Sequence, residues 1–374
     1  MFYFQDLSFS GGYSTHEALL KSCSDAVEGF GGFAWVTTDG IKVLWEDEVF
    51  QNLFRNGSYH AVVGIDHVTN TEALEMLSSL NKKHQNFNVQ IYYDRRNKGI
   101  FHPKFSFFKK KNNNGSLVIG SGNLTVSGLR INKEAFSSVE LDKNIYIKTE
   151  GYWKKWLEES RGKLKSPDDP EVLDRAKKNT FVRIKSIKKK SRNEILKSIN
   201  SQIHIFEELQ TSIDEDWGFY ETNKVLIAEI PKSGNRWKQA NFDIKTFKEF
   251  FGALTFDSSY RILLRNIKKG GQLSDIESRQ NVTVISHNYR FELDAASGLD
   301  YPENGKPIGV FIQIATRMFL YHLFMPKDKD HEKFTKWLKI NWKGKKDDIK
   351  RITTSVKKIE KILEKTVFEK YATK

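Results

Sequence analysis

Two apolar runs flank one polar turn between Ile100 and Gly120, in the stretch IFHPKFSFFKKKNNNGSLVIG. Asn112–Gly115 is a turn signal. The run before it reads as one strand, and Ser116–Gly120 as a second strand returning beside the first. Side chains two apart on a strand share a face, so His102 and Lys104 are expected to project together. Ser121 and Asn123 follow in a Gly-flanked turn, where a missing Cβ lets the backbone approach a ligand closely. Glu134 is the next acid along the chain. An imidazole, an ammonium, a hydroxyl and an amide converging on one point describe a phosphate site. Lys and Asn can hold non-bridging oxygens, while His can attack phosphorus or protonate a leaving oxygen.

A His-x-Lys pair is common on its own. A second copy, His331-Glu332-Lys333, sits in the charged stretch DKDHEKFTKW with no Gly-Ser-x-Asn after it, and reads as a solvated helix end. Gly120-x-Gly122 is not a dinucleotide loop, because the third glycine of that fingerprint would fall at Thr125.

The set His102, Lys104, Gly120, Ser121, Asn123 and Glu134 resembles the motif of the phospholipase D superfamily, which is His-x-Lys, then Gly-Ser-x-Asn, then a downstream Glu. The resemblance covers roughly the first 150 residues. The full motif also carries an Asp about five residues after the Lys, where this chain has Lys109; nuclease branches of the family tolerate that loss. The resemblance implies an α/β N-terminal domain, a mixed sheet flanked by helices. It also implies a catalytic set of His102, Lys104, Ser121, Asn123 and Glu134, with Glu134 orienting His102. Neither a metal nor another cofactor is called for. Family chemistry uses two histidines and this chain has one complete motif, so a homodimer through the catalytic domain is expected, with the site on the two-fold axis.

Charge separates the chain into two halves. Lys and Arg number 61 against 47 Asp and Glu, a net of +14. Residues 1–140 hold 14 basic and 14 acidic residues, so the whole excess lies beyond the candidate catalytic segment. A neutral catalytic module joined to a polyanion-binding module fits this distribution. The single cysteine, Cys23, excludes an intramolecular disulfide framework and suits a reducing cytoplasm. MFYFQDLSFSGG lacks the pattern of a secretory signal, and no apolar run approaches a membrane span, so a cytoplasmic protein with no membrane partner is expected.

Strand and helix patterns alternate through residues 1–148, with short strands at Gly31–Thr37, Ala61–Ile65 and Val89–Asp94 and a helix over Thr71–Lys83 capped by Thr69 or Asn70. Phe136–Leu141 and Asn144–Lys148 are expected to continue the sheet. Three parts follow: a catalytic domain at 1–160, a helical linker at 161–212, and a mainly β domain at 213–374 closed by an amphipathic helix over Asp347–Tyr371. The linker carries a Lys188–Lys190 run, read as a solvated face, and an acidic patch at Asp214–Asp216 follows it.

In the last part, strand patterns alternate with polar loops. Two loops carry residue types that contact bases and phosphates: Lys232, Asn235, Arg236, Lys238 and Gln239 around Trp237, and Asn304 with Lys306. The order of catalytic module, linker and basic β-rich module is similar to the phospholipase-D-type, metal-independent restriction endonucleases. In these enzymes a β pseudobarrel like the plant B-three domain grips double-stranded DNA with two loop arms. The resemblance implies a sequence-specific endonuclease working through a phosphohistidine, in anti-phage defence. A nonspecific nuclease, a phospholipase-D-like phosphodiesterase and a non-catalytic DNA-binding defence subunit are the alternatives. The sequence leaves open whether an ATPase or helicase-like subunit and a cognate DNA methyltransferase act with it.

Overall fold

The computed structural model describes residues 1–8, 12–95, 99–179, 217–232, 237–253, 259–280, 282–283 and 289–373. Asn235, Arg236, the Lys188–Lys190 run and the acidic patch at 214–216 lie outside them. The chain divides into two compact units, residues 1–7 with 13–215 and residues 8–12 with 216–374.

The N-terminal unit is built on one mixed sheet. Its strands are β1 (Phe2–Gln5), β2 (Ala26–Phe33), β3 (Ser58–Gly64), β4 (Phe87–Tyr92), β5 (Lys104–Lys110), β6 (Gly115–Gly120), β7 (Glu134–Leu141) and β8 (Leu164–Lys165). They lie in the order β1-β7-β6-β5-β2-β3-β4-β8. The β2-β3-β4 block is parallel, so helices must carry the chain back. These are α2 (Thr38–Leu44), α3 (Glu48–Asn56) and α4 (Thr71–Lys83). In α4, Leu74, Leu77 and Leu80 are buried and Asn70 accepts the Ala73 N–H at 2.9 Å. The strands from β5 through β6 and β7 to β1 are antiparallel.

Alternation along β5 feeds two cores. Phe105 and Phe107 pack under helix α5 (Lys143–Glu159), against Trp153 and Tyr146. Ser106 and Phe108 face the other way, toward Tyr59, whose hydroxyl lies 2.6 Å from Ser106 Oγ. Residues 144–148 are therefore helical, not a further strand. Asp142 caps this helix by accepting the N–H groups of Asn144 and Ile145, and Tyr146 and Trp153, seven apart, bury one stripe. Helical burial of large aromatics outweighs the β-branched residues Ile145 and Ile147. Residues 170–179 are also helical and belong to this unit: Asn179 donates to the carbonyls of Ile65 and Thr69.

The C-terminal unit has a six-stranded and a three-stranded sheet. The larger contains β9 (Lys224–Glu229), β11 (Arg261–Ile267), β12 (Leu273–Gln280), β15 (Ile308–Ala315), β16 (Met318–Phe324) and β17 (Arg351–Ser355). The smaller contains β10 (Gln239–Phe242), β13 (Val282–Thr283) and β14 (Tyr289–Glu292). Phe242, Phe251, Phe291, Phe311 and Phe319 form the centre of one core between them. Among the described residues, three α-helices accompany the sheets: α6 (Ile244–Glu249), α7 (His331–Asn341) and α8 (Val356–Leu363). The tail is thus not one long helix. Its Ile-Thr-Thr run, β-branched throughout, pairs antiparallel with β9 as β17, and only Val356–Leu363 winds into a helix.

Candidate active site

The edge of the sheet where β2, β3 and β4 end is also where β6 ends and where β5 and β7 begin. Open sheets bind ligands at such carboxyl ends. Lys104 is the first residue of β5, opposite Phe33. His102 stands just before the strand rather than in it. Pro103 has no N–H to give to a ladder, so the contact there is one-sided: Ala34 N–H donates to the Pro103 carbonyl at 2.8 Å. The two side chains nevertheless meet. Lys104 Nζ lies 2.9 Å from each ring nitrogen of His102 and donates to its carbonyl at 3.1 Å.

Burial and the adjacent Lys104 charge hold the His102 imidazole below its ordinary pKa. Burial also lowers Lys104, and the charge of Glu134 partly opposes that. A lowered imidazole pKa keeps the nucleophilic neutral form populated as pH falls through 6.5. Lys104→Met removes one of the two causes, so the His102 pKa should rise toward 6.5. An NMR titration of the His102 ring in that variant reads the shift directly, and an unchanged or lower value would contradict the electrostatic account.

Ser121 and Glu134 are joined across the ends of β6 and β7. Ser121 Oγ donates to Glu134 Oε2, and Asn132 Nδ2 donates to Glu134 Oε1 at 3.1 Å. Ala135 N–H donates to Ser121 Oγ at 3.1 Å. Glu134 is therefore bound by Ser121 and Asn132, makes no hydrogen bond to His102, and acts on Lys104 through its charge.

Asn123 sits in a turn that only glycines permit. A Cβ on Gly128 would meet the backbone N and O of Asn123, each at 2.6 Å, and one on Gly122 would meet the Gly128 carbonyl at 2.6 Å. The turn is clamped from below by Gln5, whose Nε2 donates to the carbonyls of Gly128 and Asn132. Asn123 Oδ1 is buried without a hydrogen-bond partner among the described residues, an arrangement that costs about 1–3 kcal/mol unless a ligand supplies a donor. Gly128→Ala should therefore displace Asn123. We expect at least about a tenfold loss of kcat in a folded protein, since small misplacements of positioned groups cost that much or more; wild-type kcat would contradict this.

Sequence reasoning missed two residues here. Trp35 continues from β2, and its carbonyl accepts the Leu124 N–H at 3.1 Å beside Asn123. Its indole meets the His102 ring edge-on at 5.4 Å, and Lys104 Nζ lies 5.8 Å from the indole centroid. His67 packs on the same indole at 6.0 Å and holds φ at 62°, a conformation that side chains rarely adopt and that clusters at functional sites. A Trp at the carboxyl end of a parallel strand was the signal available for the first; the second stands out in the sequence only by lying near a strand end, which loop polarity explains without a catalytic role. Lys109, at the place of the missing Asp, lies opposite Gly115 at the far end of β5, roughly 16 Å from Lys104 by strand rise.

Of the loop residues expected to touch DNA, three are already engaged. Gln239 donates to Glu292 at 3.2 Å, Lys238 lies 3.9 Å from the same carboxylate, and Lys306 donates to Glu229 at 2.9 Å. Lys232 and Asn304 are exposed. Trp237 is a buried core residue that ties the two loops together. Its indole N–H donates to the Leu299 carbonyl at 2.8 Å, and it packs edge-on against Tyr301.

Among the described residues, no group of three or more His, Cys, Asp or Glu side chains could hold a metal ion, and no helix is long and apolar enough to cross a membrane. No family model and no curated protein matches the chain. Solved structures resemble part of it. NucT from Helicobacter pylori is 16% identical, with 42% of this chain and 96% of that one covered at a TM-score of 0.31. Nuc from Salmonella typhimurium, a phospholipase D family member, is 14% identical, covering 44% and 95% at 0.31. The N-terminal domain of Helicobacter pylori LlaJI.R1 is 12% identical, covering 35% and 97% at 0.26. Likenesses this distant carry no inference about chemistry.

Proposed function

We propose that this chain is a phosphodiesterase acting on double-stranded DNA, an endonuclease of the phospholipase D type. The observation that carries the reading is the His102 imidazole and Lys104 ammonium in contact at the sheet edge where the Asn123 turn and Glu134 also lie. A neutral ring nitrogen of His102 attacks the scissile phosphorus, and a P–N bond forms as the P–O bond to the leaving nucleoside breaks. A second imidazole gives its proton to the leaving oxygen. Water then attacks the phosphohistidine, freeing a phosphate monoester and the histidine. Lys104 and the Asn123 amide hold the non-bridging oxygens, and the cationic lysines do the charge stabilisation that a metal would otherwise supply.

The second imidazole comes from a second copy of the chain. Support for this lies beside the site, toward the β1 edge of the sheet, on the face that Phe105 and Phe107 share. Phe2 and Phe4 of β1 are 67% and 60% exposed, and Ile119 of β6 and Val139 of β7 lie on the same face, also exposed. Phe4 pairs with Ala135, whose N–H binds Ser121. An apolar sheet face contiguous with half a catalytic set is suited to self-association. Phe4→Glu should give a monomer by light scattering that has lost cleavage. A fully active monomer would reject the shared site.

The finer reading is a restriction endonuclease of anti-phage defence. In it, the C-terminal unit acts as a B-three-like pseudobarrel whose arms, from Lys232 and Asn304 outward, enter the major groove. A cognate methyltransferase and an ATPase or helicase-like subunit are the partners such a system would use. The joining of both loops through Trp237, Leu299 and Tyr301 supports their acting as one unit. Discrete plasmid fragments are the expected product, and a smear of ends would favour a nonspecific nuclease.

A further inference from the structure

Residues 327–374 hold 16 basic and 8 acidic residues, which is +8 of the chain's +14. The charge is not evenly distributed. At the start of α7, Lys333 and Lys336 are paired with Asp330 and Glu332. Beyond them Lys339, Lys343, Lys345 and Lys346 are all exposed and make no ion pair among the described residues.

Lys339 lies in the last turn of α7, and the other three project from a built turn. The Trp342 indole N–H donates to the Lys345 carbonyl at 2.8 Å. Gly344 lies under that ring, where a Cβ would meet Trp342 Cζ2 at 2.4 Å. Lys350 Nζ donates to the carbonyls of Lys346 and Asp348, and Asp348 accepts the Lys345 N–H at 3.3 Å. Asp347 and Asp348 are the acids within the turn, and both are exposed.

Both ends of this excursion are tied to the feet of the two loops. His331, at the start of α7, lies 2.8 Å by Nε2 from the Lys306 carbonyl. At the other end, Lys350 N–H donates to Glu229 Oε2 at 3.0 Å, the same carboxylate that holds Lys306. From that footing α7 runs 11 residues, about 16 Å, before the turn. This is the length of roughly five base-pair steps.

We infer that the end of α7 with Lys339, and the turn after it with Lys343, Lys345 and Lys346, form a phosphate-contacting surface for the backbone of duplex DNA, beside the loops but separate from them. It rests on the DNA-directed reading above. Lysines without base-reading partners position a duplex and add affinity without sequence preference. Residues 327–374 hold more of this unit's charge excess than the loops do: Lys238 and Lys306 are engaged with carboxylates, and Asp300 and Glu303 lie in the second loop.

The test uses the full chain carrying His102→Ala, so that binding is read without cleavage. Duplex affinity is measured against salt for this parent and for the added triple change Lys343→Ala, Lys345→Ala, Lys346→Ala. Each lost phosphate contact lowers the log–log slope by about 0.9, so a fall of about 2 to 3 is expected, equal on any sequence. The matching triple arginine variant should keep the parent slope. An unchanged slope in the alanine variant would overturn the surface, as would loss of slope in both triples, which would indicate a folding role. Failure of the catalytic reading is separable, because wild-type cleavage is scored independently. A parent without affinity for any duplex would overturn both.

Discussion

His102→Ala is expected to lower phosphodiester cleavage by about 10⁴- to 10⁶-fold, the range seen when a covalent nucleophile or its partner base is removed, while duplex binding persists. The side chain is exposed and outside β5, so truncation leaves the fold intact. In the mechanism above the substitution removes both reacting imidazoles of the shared site, because one copy supplies the attacking nitrogen and the other the proton donor. The same substitution should abolish a covalent adduct. Wild-type protein quenched in alkali after contact with end-labelled duplex should retain label on His102, since phosphohistidine survives base and is lost in acid. Substantial residual cleavage by the variant would mean that another group attacks.

The second large effect is on stability. Glu17 and Arg130 form an ion pair at 2.8 Å with both side chains fully buried. Glu17 also accepts the Ser14 N–H and hydroxyl in the capping box of α1 (Thr15–Cys23), and Arg130 donates to Ser14 Oγ at 3.2 Å. Arg130→Met leaves a buried carboxylate without its cation, at a cost of about 3–5 kcal/mol. For a unit of this size that corresponds to roughly a 10 °C fall in Tm. Because Arg130 lies in the turn that crowds Asn123, activity should fall with it. Changing both partners to Met should recover part of the loss, since a packed apolar pair has no unpaired charge. A single variant with the wild-type Tm would show that the pair contributes nothing.

Much of the site was legible because its residues are near neighbours in sequence. His102 with Lys104, and Ser121 with Asn123, are set by a hairpin whose register the apolar runs and NNNG turn dictate, and that hairpin is present as β5 and β6. Trp35 and His67 were not legible. They arrive from β2 and the end of β3 through parallel pairing, and no local pattern encodes which strands become neighbours. Asn144–Lys148 was misread because β-branched residues favour a strand locally, while the buried Tyr146–Trp153 stripe that decides for helix becomes visible only once β5 lies beneath it. The tail failed in the opposite direction. Its apolar spacing suited a helix, but the open edge of β9 took Arg351–Ser355 as a strand. For the loops, composition could suggest polyanion contacts but could not show that Glu229 and Glu292 already hold Lys306, Lys238 and Gln239.

The central claim is that His102 and Lys104 hydrolyse DNA without a metal. Purified wild-type protein incubated with plasmid in excess EDTA, with the resulting ends sequenced, tests it most directly. The account predicts cleavage at full rate, at discrete positions, lost in His102→Ala. Cleavage that occurs only when Mg²⁺ is restored would contradict it.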